Sequence, residues 1–456
     1  MKNLKLSTNN ILIAIAFILA LGACKDESEN VVEIDPAVLE INQFVWQNMN
    51  TYYLWNKKIP KLNPNKQTDT KKFFDDLLYD EIDRWSFITD DIDELNNYFA
   101  GIRKELGYSL RGYYLKEGSD QVVAFVEYVE PNGPAQKAGI QRGDIIVKVN
   151  GAGITPENYN LLFVSDNITI GRGVISNGAT LDLTPSINIQ AEVLQINPIL
   201  SNEIFKVEGK VIGYLAFTGF MQEYDDELET VFAYFKAEGV SELILDLRYN
   251  GGGAVTTARL MASMICPASC AGKLFLRTAY NPALDAALKR DDPKVYKKLI
   301  EDYFETNNNN LDLRTLYVLT TPGTASASEM VIYSLSPYMK VVQIGEQTHG
   351  KYYGSITIDD EKKKHKWAIQ PIIMRAENTD NSIDYSQGLI PNIEVDDDYN
   401  YELGTTEDVL TAIAISKITG KPMKSEQLKS IESLRLKPAI NLKTKEHPLK
   451  YEMYFN

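Results

Sequence analysis

Leu245-Asp246-Leu247-Arg248-Tyr249-Asn250-Gly251-Gly252-Gly253 decides the reading of this 456-residue chain. A buried strand, Glu242 to Leu247, runs straight into three consecutive glycines. Residues without a Cβ leave backbone N–H groups unobstructed and able to face an anion. Two later strings have the same punctuated character. In Gly323-Thr324-Ala325-Ser326-Ala327-Ser328-Glu329, small residues lead from a strand end into an apolar helical run from Met330. A serine at that point sits near the positive end of a helix, among free N–H groups. In Ile344-Gly345-Glu346-Gln347-Thr348-His349-Gly350-Lys351, a lysine follows a strand and two glycines. A lysine that serves as a base must be neutral, which takes burial or a cationic neighbour. A serine needs such a base to attack a carbonyl.

Around these strings, residues 205–425 alternate strand and helix patterns. Val211 to Phe217 and Glu242 to Leu247 read as strands, and Asp225 to Gly239 and Thr256 to Met264 as helices. Leu316 to Leu319, Met330 to Leu335 and Lys340 to Ile344 continue the alternation. That is an α/β core. Residues 278–312, with Asn307 to Asn310, read as an exposed insertion. The tail, residues 426–456, reads as a loose cap rich in lysine. No internal repeat is visible.

Residues 107–196 have a different character. Val122 to Val129 is a β-branched strand. Pro131-Asn132-Gly133-Pro134-Ala135, Ala138-Gly139-Ile140 and Gly143-Asp144-Ile145-Ile146-Val147-Lys148-Val149-Asn150-Gly151 follow. They read as a turn, a short helix stopped by glycine, and a strand closed by an Asn-Gly turn. The order and wording resemble a PDZ domain of the bacterial protease type. That resemblance implies a module that adds a peptide strand to an open sheet edge and holds its terminal carboxylate on a Gly-containing loop. Gly107-Tyr108-Ser109-Leu110 is the candidate loop. A PDZ module used only as a spacer or lid is the alternative. Residues 36–106 read as a small helical domain. Val38, Ile41, Val45 and Met49 recur at helical spacing, and Lys71 to Leu78 and Ile92 to Leu106 are two further amphipathic helices. Asp83-Arg84-Trp85-Ser86-Phe87 is a turn carrying a core tryptophan.

Residues 1–23 are a targeting signal. Lys2 and Lys5 precede an apolar stretch, Ile11 to Leu21, too short to span a membrane. Leu21-Gly22-Ala23-Cys24 resembles the lipobox of bacterial lipoproteins, which implies a lipid anchor on Cys24. A plain secretory signal with an incidental cysteine is the alternative. Residues 24–35 form an acidic, flexible tether. It is also similar to a short export signal to the outer cell surface. The formal charge of −15, with 44% hydrophobic residues, argues against a nucleic-acid partner, because phosphate binding needs clustered Lys and Arg. Cys266 and Cys270 either form a disulfide or stay as two buried thiols; their spacing makes bridging awkward.

Taken together, the three strings resemble peptidase family S41, the carboxyl-terminal processing and tail-specific proteases. Gly388-Leu389-Ile390-Pro391 adds a turn similar to the family's late Gly-x-x-Pro. The resemblance implies a multidomain α/β (α+β) protein with an S41 peptidase core. Ser326 is its nucleophile and Lys351 its general base. The backbone N–H of Ala327 and of Gly252 or Gly253 form the oxyanion hole. Asp246 and Arg248 match positions that organise the site, or else form a strand-end ion pair. Where many members carry a glutamine four residues after the lysine, this chain has Ser355. Glu329 or Ser355 is therefore the candidate to orient Lys351. His349, near Lys351, opens a Ser–His alternative that the family pattern does not require. Ser328 reads as the helix N-cap. The implied activity is endopeptidase cleavage near the C-termini of secreted proteins, with protein or peptide tails as partners and no metal or organic cofactor. A binding protein on the same fold, and an esterase, are the competing functions. The chain lacks the Gly-x-Ser-x-Gly elbow of α/β-hydrolases.

Overall fold

The computed structural model describes residues 34–176, 179–380, 384–423, 440–441 and 452–455. The expected signal segment, Cys24 and the tether up to residue 33 lie outside them. Helix α1 (Pro36–Tyr52) starts where Asp35 accepts a hydrogen bond from the Ala37 amide and Pro36 occupies the first turn. It buries Ile41, Val45 and Met49 against Phe73 and Phe74 of α2 (Thr70–Asp75). Strand β1 (Phe87–Thr89) and helix α3 (Ile92–Phe99) follow. The helix expected over Ile92 to Leu106 ends early. Gly101 turns the chain with φ +76°, and Ile102–Glu105 becomes strand β2. Its partner is the strand Glu192–Gln195, far along the sequence.

The second region is a sheet wrapped on its own core. It comprises β3 (Tyr108–Tyr114), β4 (Val122–Val129), helix α4 (Pro134–Lys137), β5 (Ile145–Val149), β6 (Ala152–Gly153) and helix α5 (Leu161–Val164). The long hairpin β7 (Asn167–Ser176) and β8 (Ala179–Gln190) and strand β9 (Glu192–Gln195) complete it. Leu110, Val122, Val126, Ile146, Leu162 and Ile168 share one apolar cluster.

The third region begins with β10 (Ile199–Val207), β11 (Lys210–Phe217), α6 (Asp225–Ala237), β12 (Glu242–Asp246), β13 (Gly252–Ala254) and α7 (Val255–Ile265). Then come β14 (Leu274–Tyr280), α8 (Pro282–Asp291), α9 (Pro293–Ile300), β15 (Glu301–Tyr303), β16 (Thr315–Thr320), α10 (Ala327–Leu335) and β17 (Lys340–Gly345). Strands β18 (Tyr353–Ile356), β19 (Ile358–Asp359), β20 (Ala368–Gln370), β21 (Ile372–Glu377) and β22 (Ile393–Glu394) and helix α11 (Val409–Thr419) follow. One sheet runs β10-β11-β12-β16-β17-β22, parallel from β11 onward. Its central strands are apolar on both faces because both are covered. Leu243, Leu245 and Val318 meet α6, α7 and α10, while Ile244 and Leu319 meet α11.

Two expectations change here, and the alternative left open for Cys266 and Cys270 is resolved. Residues 278–312 are not simply an exposed insertion. Helices α8 and α9 do have no buried residue, but β15 pairs with β14, Phe304 enters the core, and Asn310 Nδ2 donates to the carbonyls of Ser263 and Cys266. The tail is not only a loose cap. Ile440–Asn441 forms β23 and Glu452–Phe455 forms β24. Cys266 and Cys270 are free, buried thiols. Among the described residues, no helix is long and apolar enough to cross a membrane.

Candidate active site

Ser326 stands at the foot of α10 with φ +63° and ψ −116°. A non-glycine residue held there is strained by about 1–3 kcal/mol, and the surroundings must over-determine it. They do so by sewing the serine loop to the first glycine string. Thr324 Oγ1 donates to the Leu247 carbonyl at 2.7 Å, and Thr321 Oγ1 to that of Arg248. The Ala325 amide and Ser328 Oγ both donate to the Asn250 carbonyl, at 3.1 and 3.0 Å. Ser328 is therefore not the N-cap; Ser326 holds that position, and Ser328 is already inside the helix. The Oγ of Ser326 is buried; it is turned toward the Glu329 amide in a capping box with Glu329, but no hydrogen bond of ordinary geometry satisfies it among the described residues.

Glu329, fully buried, joins the serine to the third string. Its Oε2 accepts from the amides of Ser326 (2.8 Å) and Lys351 (2.9 Å). Its Oε1 accepts from the Gly350 amide (2.7 Å) and from Thr348 Oγ1. Burial pushes this carboxyl up to about 7, and the four donors pull it the other way. Thus Glu329 sets the backbone of Lys351 rather than acting at a distance. The late turn closes the arrangement: the Thr348 amide donates to Leu389 O, and the Leu389 amide returns a bond to Thr348 Oγ1.

Lys351 is wholly withdrawn from water, and its Nζ lies 5.8 Å from the centroid of the Trp85 ring. Trp85 belongs to the N-terminal region. Asp83 holds its turn by accepting from the amides of Trp85 and Ser86 and from Tyr53 Oη. Ser86 Oγ, also bonded to Asp83, takes the Ile372 amide. Trp85 is a core residue, as its turn suggests, packed with Tyr353 and Ile372, and it also meets Lys351, a contact for which the sequence carries no motif.

The glycines divide their roles. The Gly252 amide is used by Asn250 Oδ1 at 2.9 Å, so it is not an open donor. Gly253 has φ +136°, and a Cβ there would stand 2.2 Å from the Phe220 carbonyl oxygen. Phe220 pairs with Gly252 O and the Ala254 amide. By strand alternation the Gly253 amide faces the opposite side. Ala327 is the first helical residue of α10, where amides have no intrahelical acceptor.

The remaining expected residues are placed as follows. Arg248 is completely buried and bonded to Asp246, Asp397 and Asp408. Arg142, from the second region, reaches the same cluster through Asp397. Ser355 accepts a hydrogen bond from Gln370 Nε2 at 3.0 Å, a partner the sequence reading did not anticipate. His349 is edge-on to Trp85 at 6.4 Å, its amide bonded to Thr324 O. Tyr108, Ser109 and Leu110 lie in β3, with Gly107 just before it, paired along β4. One residue on, Arg111 forms a two-pronged bridge to Glu346 of the third string, both contacts 2.8 Å.

Residues 211–395 match the model of peptidase family S41, residues 40–87 its N-terminal domain and residues 125–159 a PDZ domain. The chain belongs to peptidase family S41. A C-terminal processing peptidase of the chloroplast from Tetradesmus obliquus is 28% identical over 55% of this chain and 53% of its own length. The carboxy-terminal processing protease CtpA of Bacillus subtilis is 26% identical over 52% and 45%. The chain thus spans about half the length of these two relatives. A solved structure from Bacteroides fragilis, described as an S41 protease, aligns with TM-score 0.66 and 26% identity. It covers 83% of this S41 chain and 97% of its own.

Proposed function

We propose that this S41 protein is a serine endopeptidase of the C-terminal processing type, using Ser326 as nucleophile and Lys351 as base. The observation that carries the reading is a buried serine hydroxyl without a partner, on a strained backbone, strung through one carboxylate oxygen to a buried lysine. Burial favours the uncharged amine that a base needs. Lys351 takes the hydroxyl proton as Ser326 Oγ bonds to the scissile carbonyl carbon. The carbonyl oxygen gains the charge and is met by the amides of Ala327 and Gly253, a donor of this kind being worth about 3 kcal/mol of barrier. The ammonium formed on Lys351 lies within cation–π range of Trp85. It then protonates the departing amine as the C–N bond breaks. Water, deprotonated by the same lysine, releases the acyl group. Asp246 and Arg248 act through the loop they anchor, and Ser355 with Gln370 supports the lysine strand.

In this reading the partners are protein or peptide tails, which the PDZ region docks along β3 beside Gly107-Tyr108-Ser109-Leu110. A lipid on Cys24 would hold the enzyme at the membrane of the cell envelope. The test compares the chain with Ser326→Ala and Lys351→Ala on unstructured protein tails and on esters. Peptide cleavage falling about 10³-fold or more in both variants supports the dyad. Undiminished cleavage in either rejects it, and tail binding without cleavage by the unaltered chain favours a binding protein.

A further inference from the structure

The C-terminal tail returns to both functional regions of the molecule. Strand β24 lies parallel between β13 and β18. Gly252, Gly253 and Ala254 pair with Glu452, Met453 and Tyr454; Ser355 and Ile356 pair with Tyr454 and Phe455. Neighbouring strands stand about 4.8 Å apart, so β13 and β18 bound a slot one strand wide, about 10 Å across. One wall carries Gly253, whose amide faces into the slot. The other wall begins just after Lys351. The slot is filled from the end of the chain by a segment with almost no sequence link to either wall. Tyr454 is its anchor, only 4% exposed and with its ring 4.3 Å from that of Phe99.

Upstream, the tail makes a second pairing. Ile440 and Asn441 lie antiparallel to Tyr114 and Tyr113 on β3, outside every other strand of that sheet. Backbone pairing to an open strand edge is the way such modules take extended peptides. The same tail therefore occupies a PDZ edge and the slot beside the proposed nucleophile.

We infer that the slot between β13 and β18 is where an extended peptide substrate lies, and that Glu452–Phe455 occupies it as an intramolecular competitor. The identification of the slot rests on the proposed roles of Ser326 and Lys351; the occupancy by the tail does not. An external chain must displace β24 to reach Ser326, and pairing on β3 gives it a way to displace β23 first. Tail and substrate are held by the same backbone ladder, so the recognition is of an extended strand with an aromatic residue at the Tyr454 position. A tethered occupant competes at an effective concentration in the millimolar range, so only substrates with a second foothold compete well.

The test uses the Ser326→Ala chain, so that nothing is consumed, and a fluorescein-labelled synthetic peptide spanning residues 450–456. The Ser326→Ala chain shortened by removal of residues 452–456 is expected to bind the peptide at least tenfold more tightly than the full-length Ser326→Ala chain. Unlabelled peptide should compete. Tyr454→Asp in the full-length background should recover part of that gain. Equal affinities in the long and short chains would overturn the inference. So would a short chain and a Tyr454→Asp chain that both lose their cooperative melt, since β24 would then be a permanent part of the fold. Failure of the two readings is separable. A short chain that gains peptide binding but cleaves nothing once Ser326 is restored sinks the hydrolytic reading alone. Cleavage with unchanged peptide affinity sinks the tail reading alone.

Discussion

Two buried polar clusters are both anchored on the end of β12 and the segment that follows it, and they are built on opposite terms. On one side, Arg248 and Arg142 meet Asp246, Asp397 and Asp408 at hydrogen-bond distance, with nearly all their side-chain surface hidden. On the other, Ser326 keeps an unpartnered hydroxyl at a strained φ beside a buried lysine. Burial is costly in both places. Where every charged group is hydrogen-bonded to one of opposite sign, as in this cluster of two guanidiniums and three carboxylates, the cost is offset locally and the result is rigidity. Where a group is left unmatched, the rest of the fold must carry the cost, and the group is available for chemistry. Neither burial nor a missing partner is enough to single out a group, since Thr278, Ser334 and Tyr385 also bury hydroxyls without a partner among the described residues; what sets Ser326 apart is that its hydroxyl sits at a positive φ on a loop tied to the lysine segment through Glu329.

The comparison can be broken in four ways. The largest effect is expected at Ser326→Ala. Proteolysis should fall by about 10⁴-fold or more, while thermal stability stays equal or rises by about 1 kcal/mol, because an unsatisfied buried hydroxyl is removed. Parallel melts and rate assays check this; a clear loss of stability would place Ser326 with the matched cluster. Arg248→Met should do the reverse. It takes the guanidinium from Asp246 and Asp408, leaving Asp397 with only that of Arg142, and should cost about 3–5 kcal/mol in denaturant melts, with activity per folded molecule much less affected. Gly253→Ala comes next. Its Cβ has no room beside Phe220 O, and the backbone must move, so kcat should drop about 10²-fold with a smaller change in KM.

The smallest effect concerns pH. The Glu329 carboxyl is raised to about 7 in the folded chain against 4.5 as a free side chain. The folded state therefore binds this proton more tightly than the unfolded state. The stability this confers is complete below pH about 4.5 and is lost as pH rises through about 7. The melting temperature of the unaltered chain, measured against Glu329→Gln, should fall steadily between pH 4.5 and 8. A difference that is flat with pH would mean the carboxylate is fully compensated by its four donors.

Much of the core was legible because its signals are local. The apolar run Glu242 to Leu247, the glycines after it and the small residues around Ser326 each describe a backbone that needs no knowledge of distant partners. What escaped was set by long-range pairing. Ile102–Glu105 has helical spacing, but β9 recruits it as a strand. Gln370 and Trp85 reach the site across the fold, from residues with no motif of their own. Arg142 lies in a turn that reads as PDZ punctuation, yet it completes a cluster in another region. Serine's preference for the cap position points to Ser328 from sequence alone; the cap is Ser326, and the hydroxyl of Ser328 donates to the Asn250 carbonyl instead.

The most direct test of the unmatched serine is to acylate it. The chain is incubated with a small activated ester, quenched in acid within the first turnover, and mapped by tandem mass spectrometry. The adduct should sit on Ser326, be absent from Ser326→Ala, and form at least 10³-fold more slowly in Lys351→Ala. An adduct on another residue, or one forming at full rate without Lys351, would contradict the account.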